Sequence, residues 1–170
     1  LTKANEISKY KGYARFESIQ NNFSLLNPRF HDELANVCRL ENISLLPYSP
    51  MAGGVLSGKY CGGFYPEGSR FATYLKESNK RVQAMAHRFV NERTLEATKK
   101  YLELAKEYEV SPVTLAISYS KHFDFVASTI VGARKIEQLD DSFKAFDFKI
   151  SNELLKRIEI IQKDILYPMG

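Results

Sequence analysis

Short apolar segments in which polar and apolar residues do not alternate are the feature that most constrains the fold. They lie at residues 43–47 and 127–131, and residues 14–20 form a further short strand-like segment. Apolar segments of this kind are typical of parallel sheets covered on both faces by helices. The sequence therefore predicts an α/β fold built around a parallel sheet.

Helical periodicity fills the spaces between and after these strands. Pro28 favours the first turn of one helix, and the pairs Ser111-Pro112 and Ser151-Asn152 mark the starts of two others. Helices are predicted at residues 1–11, 28–41, 79–108 with one break, 112–119, 136–146 and 152–161, and residues 166–170 form a non-helical tail. Three strands are too few for a complete (β/α)8 barrel, which has eight strands and typically ~250 residues.

Composition excludes several classes of protein. Hydrophobic residues make up 44% of the 170 residues and charged residues 26%, which is the balance of a globular protein. The net charge of +4 is scattered, so it does not predict nucleic-acid binding and suits a solvated surface or a small phosphorylated ligand. No apolar run approaches the ~20 residues of a membrane helix. Because the chain opens with Leu1, we expect it to begin downstream of a natural start.

Cysteine and histidine usage predicts neither a metal nor a redox centre. Cys38 and Cys61 lack Cys-x-x-Cys spacing and fit reduced thiols in the cytoplasm. His31, His87 and His122 lack the spacing of a helical metal site.

Residues 46–60 leave the second strand and enter a glycine-rich loop. Gly53 and Gly54 permit a ligand to approach the backbone, Lys59 offers a charge for a phosphate, and the ring of Tyr48 can lie against a planar group. Taken alone, the loop is more simply a flexible connector.

Residues 128–139 form a second motif, in which a strand ends in Gly132, two basic residues follow, and a helix begins. A helix amino terminus favours an anion, and barrel enzymes often bind phosphate after their seventh and eighth strands. The two motifs in this order are more specific than either alone.

Together these segments resemble the aldo-keto reductase family. The loop with Tyr48-Ser49-Pro50, Gly53-Gly54 and Gly58-Lys59-Tyr60 is similar to the family's loop after the seventh strand. Residues 20–27 resemble the segment after the sixth strand, and Gly132-Ala133 with residues 137–139 that after the eighth. The nearest branch is that of the Tas-like reductases and the potassium channel β subunits.

The resemblance implies the C-terminal half of a (β/α)8 barrel over residues 1–170, with about the sixth to eighth strands, that binds NADP(H). It assigns Gln20 to the nicotinamide carboxamide and Tyr48 to the nicotinamide region. It assigns the pyrophosphate to the loop residues Ser49, Pro50, Met51, Ala52, Gly53, Gly54 and Lys59, with Arg70 reaching the cofactor from a covering loop. The adenosine end falls to Gly132, Arg134, Gln138 and Asp141. Phe23 and Ser142 depart from the family, which often has Tyr and Asn there.

The resemblance assigns no catalytic residue to this chain. The family's Asp, Tyr, Lys and His are carried on the first half of the barrel, so we expect the isolated chain to be inactive. Three hypotheses follow: a portion of an NADPH-dependent reductase of aldehydes and ketones, a non-catalytic NADP(H)-sensing or regulatory module, and a half-barrel that pairs with another copy or with a missing N-terminal half. A coding region upstream that carries the four catalytic residues would favour the first.

Overall fold

The computed structural model describes residues 1–169, which form two short parallel strands and eight α-helices. The strands are β1 (Ser18–Asn22) and β2 (Ser44–Tyr48), and 3-10 helices lie at Arg29–His31 and Ala52–Ser57. The helices are α1 (Thr2–Lys11), α2 (Leu34–Glu41), α3 (Arg70–Lys76), α4 (Lys80–Phe89), α5 (Glu92–Glu107), α6 (Pro112–Lys121), α7 (Gln138–Asp147) and α8 (Asn152–Asp164). No helix in this described part of the chain is both long and apolar enough to cross a membrane.

The first strand begins four residues later than the predicted segment 14–20. Asn5 on α1 explains the difference, because its side-chain oxygen accepts from the Phe16 amide at 2.9 Å and its side-chain nitrogen donates to the Phe16 carbonyl. The backbone of residue 16 is thus bonded to α1, and pairing with β2 begins at Ser18, opposite Ser44.

The third predicted strand, at residues 127–131, is corrected. The chain does run parallel to β2 there, but it forms one bridge, between Val126 and Leu45, instead of a continuous strand. The Leu45 amide donates to the Phe125 carbonyl at 2.7 Å, and the Ile130 amide donates to the Pro47 carbonyl at 2.8 Å. We call residues 125–131 the edge segment. Its residues 127–131 are not buried as predicted, because no further strand within residues 1–169 covers its outer side.

The helices cover one face of the sheet, whereas the sequence predicted cover on both faces. Ile19 and Leu45 point into the helical layer, and Leu45 is completely buried. Their neighbours Gln20 and Leu46 share the opposite face, where Gln20 is exposed. In a barrel this second face is packed against opposing strands. The three strand positions of this chain do not supply them.

Most helix boundaries follow the capping signals in the sequence. The side chains of Ser111 and Ser151 accept hydrogen bonds from backbone amides at 3.0 and 3.1 Å, at the starts of α6 and α8. The predicted break in residues 79–108 lies between α4 and α5, where Asn91 and Thr94 form a reciprocal capping box. The helix α3 was not predicted from the sequence, although Ser69 caps it.

The C-terminal tail is held against the junction of α4 and α5. The carbonyls of Leu166 and Met169 accept hydrogen bonds from Arg93 at 2.7 Å and Arg88 at 3.2 Å. Tyr167 donates to the Asp32 carboxylate at 2.6 Å. These contacts fix the predicted non-helical tail, of which Gly170 lies outside the described residues.

An aromatic cluster lies between β1 and the end of α6 and contains His31. The imidazole stands edge-on to Phe123, with 4.1 Å between the ring centroids, and lies near Phe23 and Phe125. Its Nε2 atom is buried without a hydrogen-bond partner. Burial lowers the pKa of His31 below its ordinary 6.5, and Arg39 lowers it further, against the opposing effect of nearby carboxylates.

This lowered pKa predicts that stability falls in mildly acidic solution. The unfolded chain binds a proton at His31 more readily than the folded chain does, so the free energy of unfolding decreases as pH falls below 6.5 toward the folded-state pKa. Urea unfolding between pH 7.5 and 5 measures this slope. The slope is expected to diminish in His31→Gln and to persist in the control His87→Gln. Equal slopes in all three proteins would contradict the assignment.

Candidate functional site

The carboxyl ends of β1, β2 and the edge segment lie at one end of the sheet because all three run in the same direction. Asn22 at the end of β1 is in register with Tyr48 at the end of β2. The Tyr48 ring is 40% exposed there. Loops that follow the strands of parallel α/β proteins are the usual place for ligands. This end of the sheet is therefore the candidate site.

The loop after β2 has an unusual backbone. Five of its residues have positive φ, and two of them, Ser49 at 56° and Ala52 at 48°, are not glycine. The Ala52 amide donates to the Ser49 carbonyl at 2.8 Å, and the Gly54 amide donates to the Met51 carbonyl at 2.9 Å. Positive φ in residues with side chains is costly and clusters at ligand-binding turns. Pro50 and Ala52 are buried, so the loop is anchored in the helical layer.

The Lys59 side chain reaches back over the loop backbone at Gly54. A Cβ atom at Gly54 would be 2.8 Å from the Lys59 Nζ, so the absence of a side chain at position 54 is what admits the ammonium group. The same Nζ is 5.2 Å from the centroid of the Tyr60 ring. A positive charge held against exposed loop backbone suits a phosphate oxygen.

The segment after the edge segment is organised by Gln138. The Gln138 side-chain oxygen accepts from the Arg134 amide at 2.9 Å and from the Lys135 amide at 3.4 Å. This oxygen therefore caps the turn before α7, a use that the sequence did not predict. A Cβ atom at Gly132 would meet nothing within 4 Å, so open space adjoins the backbone there.

Arg134 connects this segment to the start of α3. Its guanidinium donates to the Gly68 carbonyl, two residues before Arg70. Arg70 is the first residue of α3 and is exposed. The structure thus brings Arg134 to the surface beside the start of α3, where Arg70 lies, although 64 positions separate the two arginines in sequence.

Two other predicted residues, Asp141 and Gln20, take no part in these contacts between the loops. Asp141 pairs with Lys144 at 3.0 Å, and its backbone carbonyl accepts from Thr114 at 2.8 Å. Gln20 lies on the open face of the sheet beside Leu46. Met51 and Gly53, both half-buried, complete the loop. Sequence reasoning missed Gly68 and Phe71, since only the folded chain shows that they contact the predicted loops.

Comparison with known proteins decides which family this arrangement represents. The family model described as "Aldo/keto reductase family" matches residues 1–163. The chain belongs to the aldo/keto reductase family. Its structure matches a glycerol dehydrogenase from Gluconobacter oxydans with a TM-score of 0.69 over 95% of this chain and 47% of that chain, at 18% sequence identity. The resemblance to the family and the α/β partial-barrel fold are thereby confirmed.

Curated relatives of this aldo/keto reductase chain include proteins with different described roles. Protein tas of Escherichia coli is 32% identical over 154 residues, which are 91% of this chain and 42% of that protein. A putative voltage-gated potassium channel subunit beta of Schizosaccharomyces pombe is 29% identical over 81% of this chain and 39% of its own length. An L-glyceraldehyde 3-phosphate reductase of Escherichia coli is 31% identical over 82% of this chain and 40% of its own length. The chain thus spans about two fifths of the length of these relatives.

Proposed function

We propose that this chain is the NADP(H)-binding C-terminal portion of an aldo/keto reductase that reduces aldehydes or ketones. The observation that carries the proposal is the contact of Arg134 with Gly68 at the carboxyl end of the sheet. This contact joins the segment after the edge segment to the start of α3. The glycine-rich loop after β2 emerges at the same end of the sheet.

The residues present suit an extended dinucleotide. Lys59 against the bare backbone of Gly54 provides a place for the pyrophosphate. The exposed ring of Tyr48 lies at the end of β2 and Gln20 lies two residues before the end of β1, and the nicotinamide would sit between them. Arg134 and Arg70, with the open backbone at Gly132, would hold the adenosine end. Gln138 would act by fixing the Arg134 backbone, and Asp141 would lie one turn further along α7.

Reduction of a carbonyl requires a proton donor, and the family resemblance assigns that role to no residue of this chain. Bound NADPH supplies a hydride to the carbonyl carbon, and a proton must reach the carbonyl oxygen from a general acid. The family resemblance carries that acid and its partners on the first half of the barrel. Within this proposal the chain binds and orients the cofactor, and the complementary half supplies the proton.

Pairing with that complementary half, or with a second copy, is part of the proposal. Large apolar side chains are exposed on both flanks of the sheet, including Tyr10 on α1 and Phe146 on α7. Among the described residues no strand pairs with the outer side of the edge segment, and such edges favour association. We place the protein in the cytoplasm, because Cys38 and Cys61 are both free thiols.

A non-catalytic NADP(H)-sensing module is the second candidate. The similarity to the channel β subunit favours it, as does a proposed cofactor site to which no proton donor is assigned. The two candidates differ in whether a complementary polypeptide restores turnover.

The isolated chain is expected to bind NADPH without reducing aldehydes or ketones. Oxidation of NADPH is followed at 340 nm with a panel of small aldehydes, with and without a polypeptide that supplies the first half of a family barrel. Turnover only in the mixture supports the reductase, and binding without turnover in either supports the sensing module. Turnover by the pure chain that a substitution within it abolishes would refute the assignment of the proton donor to the other half.

Arg134 is expected to select NADPH over NADH. In the free chain its guanidinium bonds a neutral carbonyl, whereas a 2′-phosphate offers a charged, two-pronged acceptor. Arg134→Ala should therefore weaken NADPH binding by about 1.5–3 kcal/mol, or roughly 10- to 100-fold in affinity, and leave the affinity for NADH little changed. Calorimetric titration of both cofactors measures this.

Arg157→Ala serves as the control for that titration, because Arg157 pairs with Glu107 on α5 at 2.9 Å, away from the candidate site. Equal weakening of the two cofactors in Arg134→Ala, or no weakening of either, would contradict the role of Arg134.

The isolated chain is expected to associate through its apolar flanks. Phe146 is 72% exposed on α7, and a charge at this position should reduce the mean mass seen by light scattering. Leu40 is 86% exposed as well, but its helix α2 connects β1 to β2, so Leu40→Glu is the matched control for Phe146→Glu. A compact monomer at high concentration for the unaltered chain would argue against the flanks as an interface.

A further inference from the structure

Phe71 packs its ring onto the backbone of the glycine-rich loop. It lies in the first turn of α3, and a Cβ atom at Gly53 would be 2.5 Å from its Cζ and 2.9 Å from its Cε2. Phe71 is only 1% exposed. The ring therefore occupies the space that a side chain at position 53 would need, and it covers the loop where its backbone turns.

The loop under this ring has consecutive positive φ angles, and one of them belongs to a residue with a side chain. Ala52, Gly53 and Gly54 follow one another with φ of 48°, 66° and 95°. Consecutive left-handed residues persist only where the surrounding structure holds them. Phe71 is the side chain whose ring meets the middle residue of the three, so it is placed to hold them.

Phe71 is itself held from the other side. Its ring lies 5.5 Å from that of Tyr60 and 5.3 Å from that of Phe89, measured between centroids. Tyr60 closes the glycine-rich loop and Phe89 ends α4, so the ring has little freedom to move away from Gly53. Three residues before Phe71, the Gly68 carbonyl accepts the Arg134 guanidinium. One short stretch of chain thus contacts both loops of the candidate site.

We propose that Phe71 is a positioning residue that holds the loop after β2 in its left-handed conformation and at a fixed distance from Arg134. Its effect on cofactor affinity rests on the proposed function, whereas its effect on the loop does not. A residue that served only general core packing would alter the whole protein and not this loop in particular. The two roles can be separated by measuring the loop directly.

Hydrogen exchange of the full chain without cofactor tests the effect on the loop. In Phe71→Leu, peptides covering residues 49–58 are expected to exchange about tenfold faster, with α5 and α8 unchanged. Phe30→Leu is the matched control, because Phe30 is equally buried but packs against Phe23 and Phe125. Unchanged exchange in Phe71→Leu, or the same increase in Phe30→Leu, would overturn the proposal.

Cofactor titration of the same variants separates this proposal from the proposed function. NADPH affinity is expected to fall about tenfold in Phe71→Leu and to stay within about twofold in Phe30→Leu. If the unaltered chain binds no NADPH while loop exchange still rises in Phe71→Leu, the proposed function fails and the positioning role stands. If NADPH binds and both variants bind it equally, the positioning role fails.

The reciprocal substitution keeps the proposal testable should Phe71→Leu fail to fold. Gly53→Ala places a methyl group against the ring and is expected to speed exchange of residues 49–58. Combining Gly53→Ala with Phe71→Met, a slimmer and more adaptable side chain, should return part of that change, because the clash with the ring is relieved. Additive effects of the two substitutions would show that ring and loop are not coupled, and would overturn the proposal.

Discussion

The backbone of Leu45 is the point on which the arrangement of the site depends. Its amide donates to the Phe125 carbonyl at 2.7 Å, and its carbonyl accepts from the Ala127 amide at 3.0 Å. Its side chain is fully buried in the helical layer. Because β2 is also paired with β1, Leu45 fixes the edge segment and both strands in one parallel register. The loops after β2 and after the edge segment therefore emerge at the same end.

That shared end becomes a site through contacts made by the start of α3. The Gly68 carbonyl accepts a hydrogen bond from the Arg134 guanidinium. The Phe71 ring covers Gly53, and the Lys59 ammonium group lies against Gly54. Strained backbone, a charge and an open backbone position at Gly132 then lie on adjoining segments. The chain spans about two fifths of the length of its relatives, and the family model matches its residues 1–163, which include this end of the sheet. In the proposed function this chain binds the cofactor, and another part of the family barrel supplies the proton.

The sequence predicted those features that local chemistry determines. The caps at Ser111 and Ser151 and the glycine-rich loop depend on adjacent residues, and the structure has all three. A break within residues 79–108 was predicted as well, but its place before Asn91 was not. The edge segment was predicted as a buried strand and is not one. A run of β-branched residues shows the tendency to pair but not whether a partner covers both sides.

The contacts that build the site were beyond the reach of the sequence for a related reason. The Phe71 ring meets Gly53 across 18 positions, and Arg134 meets Gly68 across 66. Gln138 was assigned to the ligand from the resemblance, but its side-chain oxygen caps the turn at Arg134 and Lys135. The short helix α3 lies among Gly, Ser and Lys residues, where no apolar stripe is long enough to predict it.

Amide chemical shifts of the isotope-labelled chain during titration with NADPH are the most direct test of a dinucleotide site at this end of the sheet, because they report each backbone position separately. We expect the largest changes at Gly53, Gly54 and residues 132–138, with smaller changes at Gly68 and almost none along α5 and α8. Changes confined to the α5 and α8 surfaces, or no change at millimolar NADPH, would contradict the assignment of a dinucleotide site to this end of the sheet.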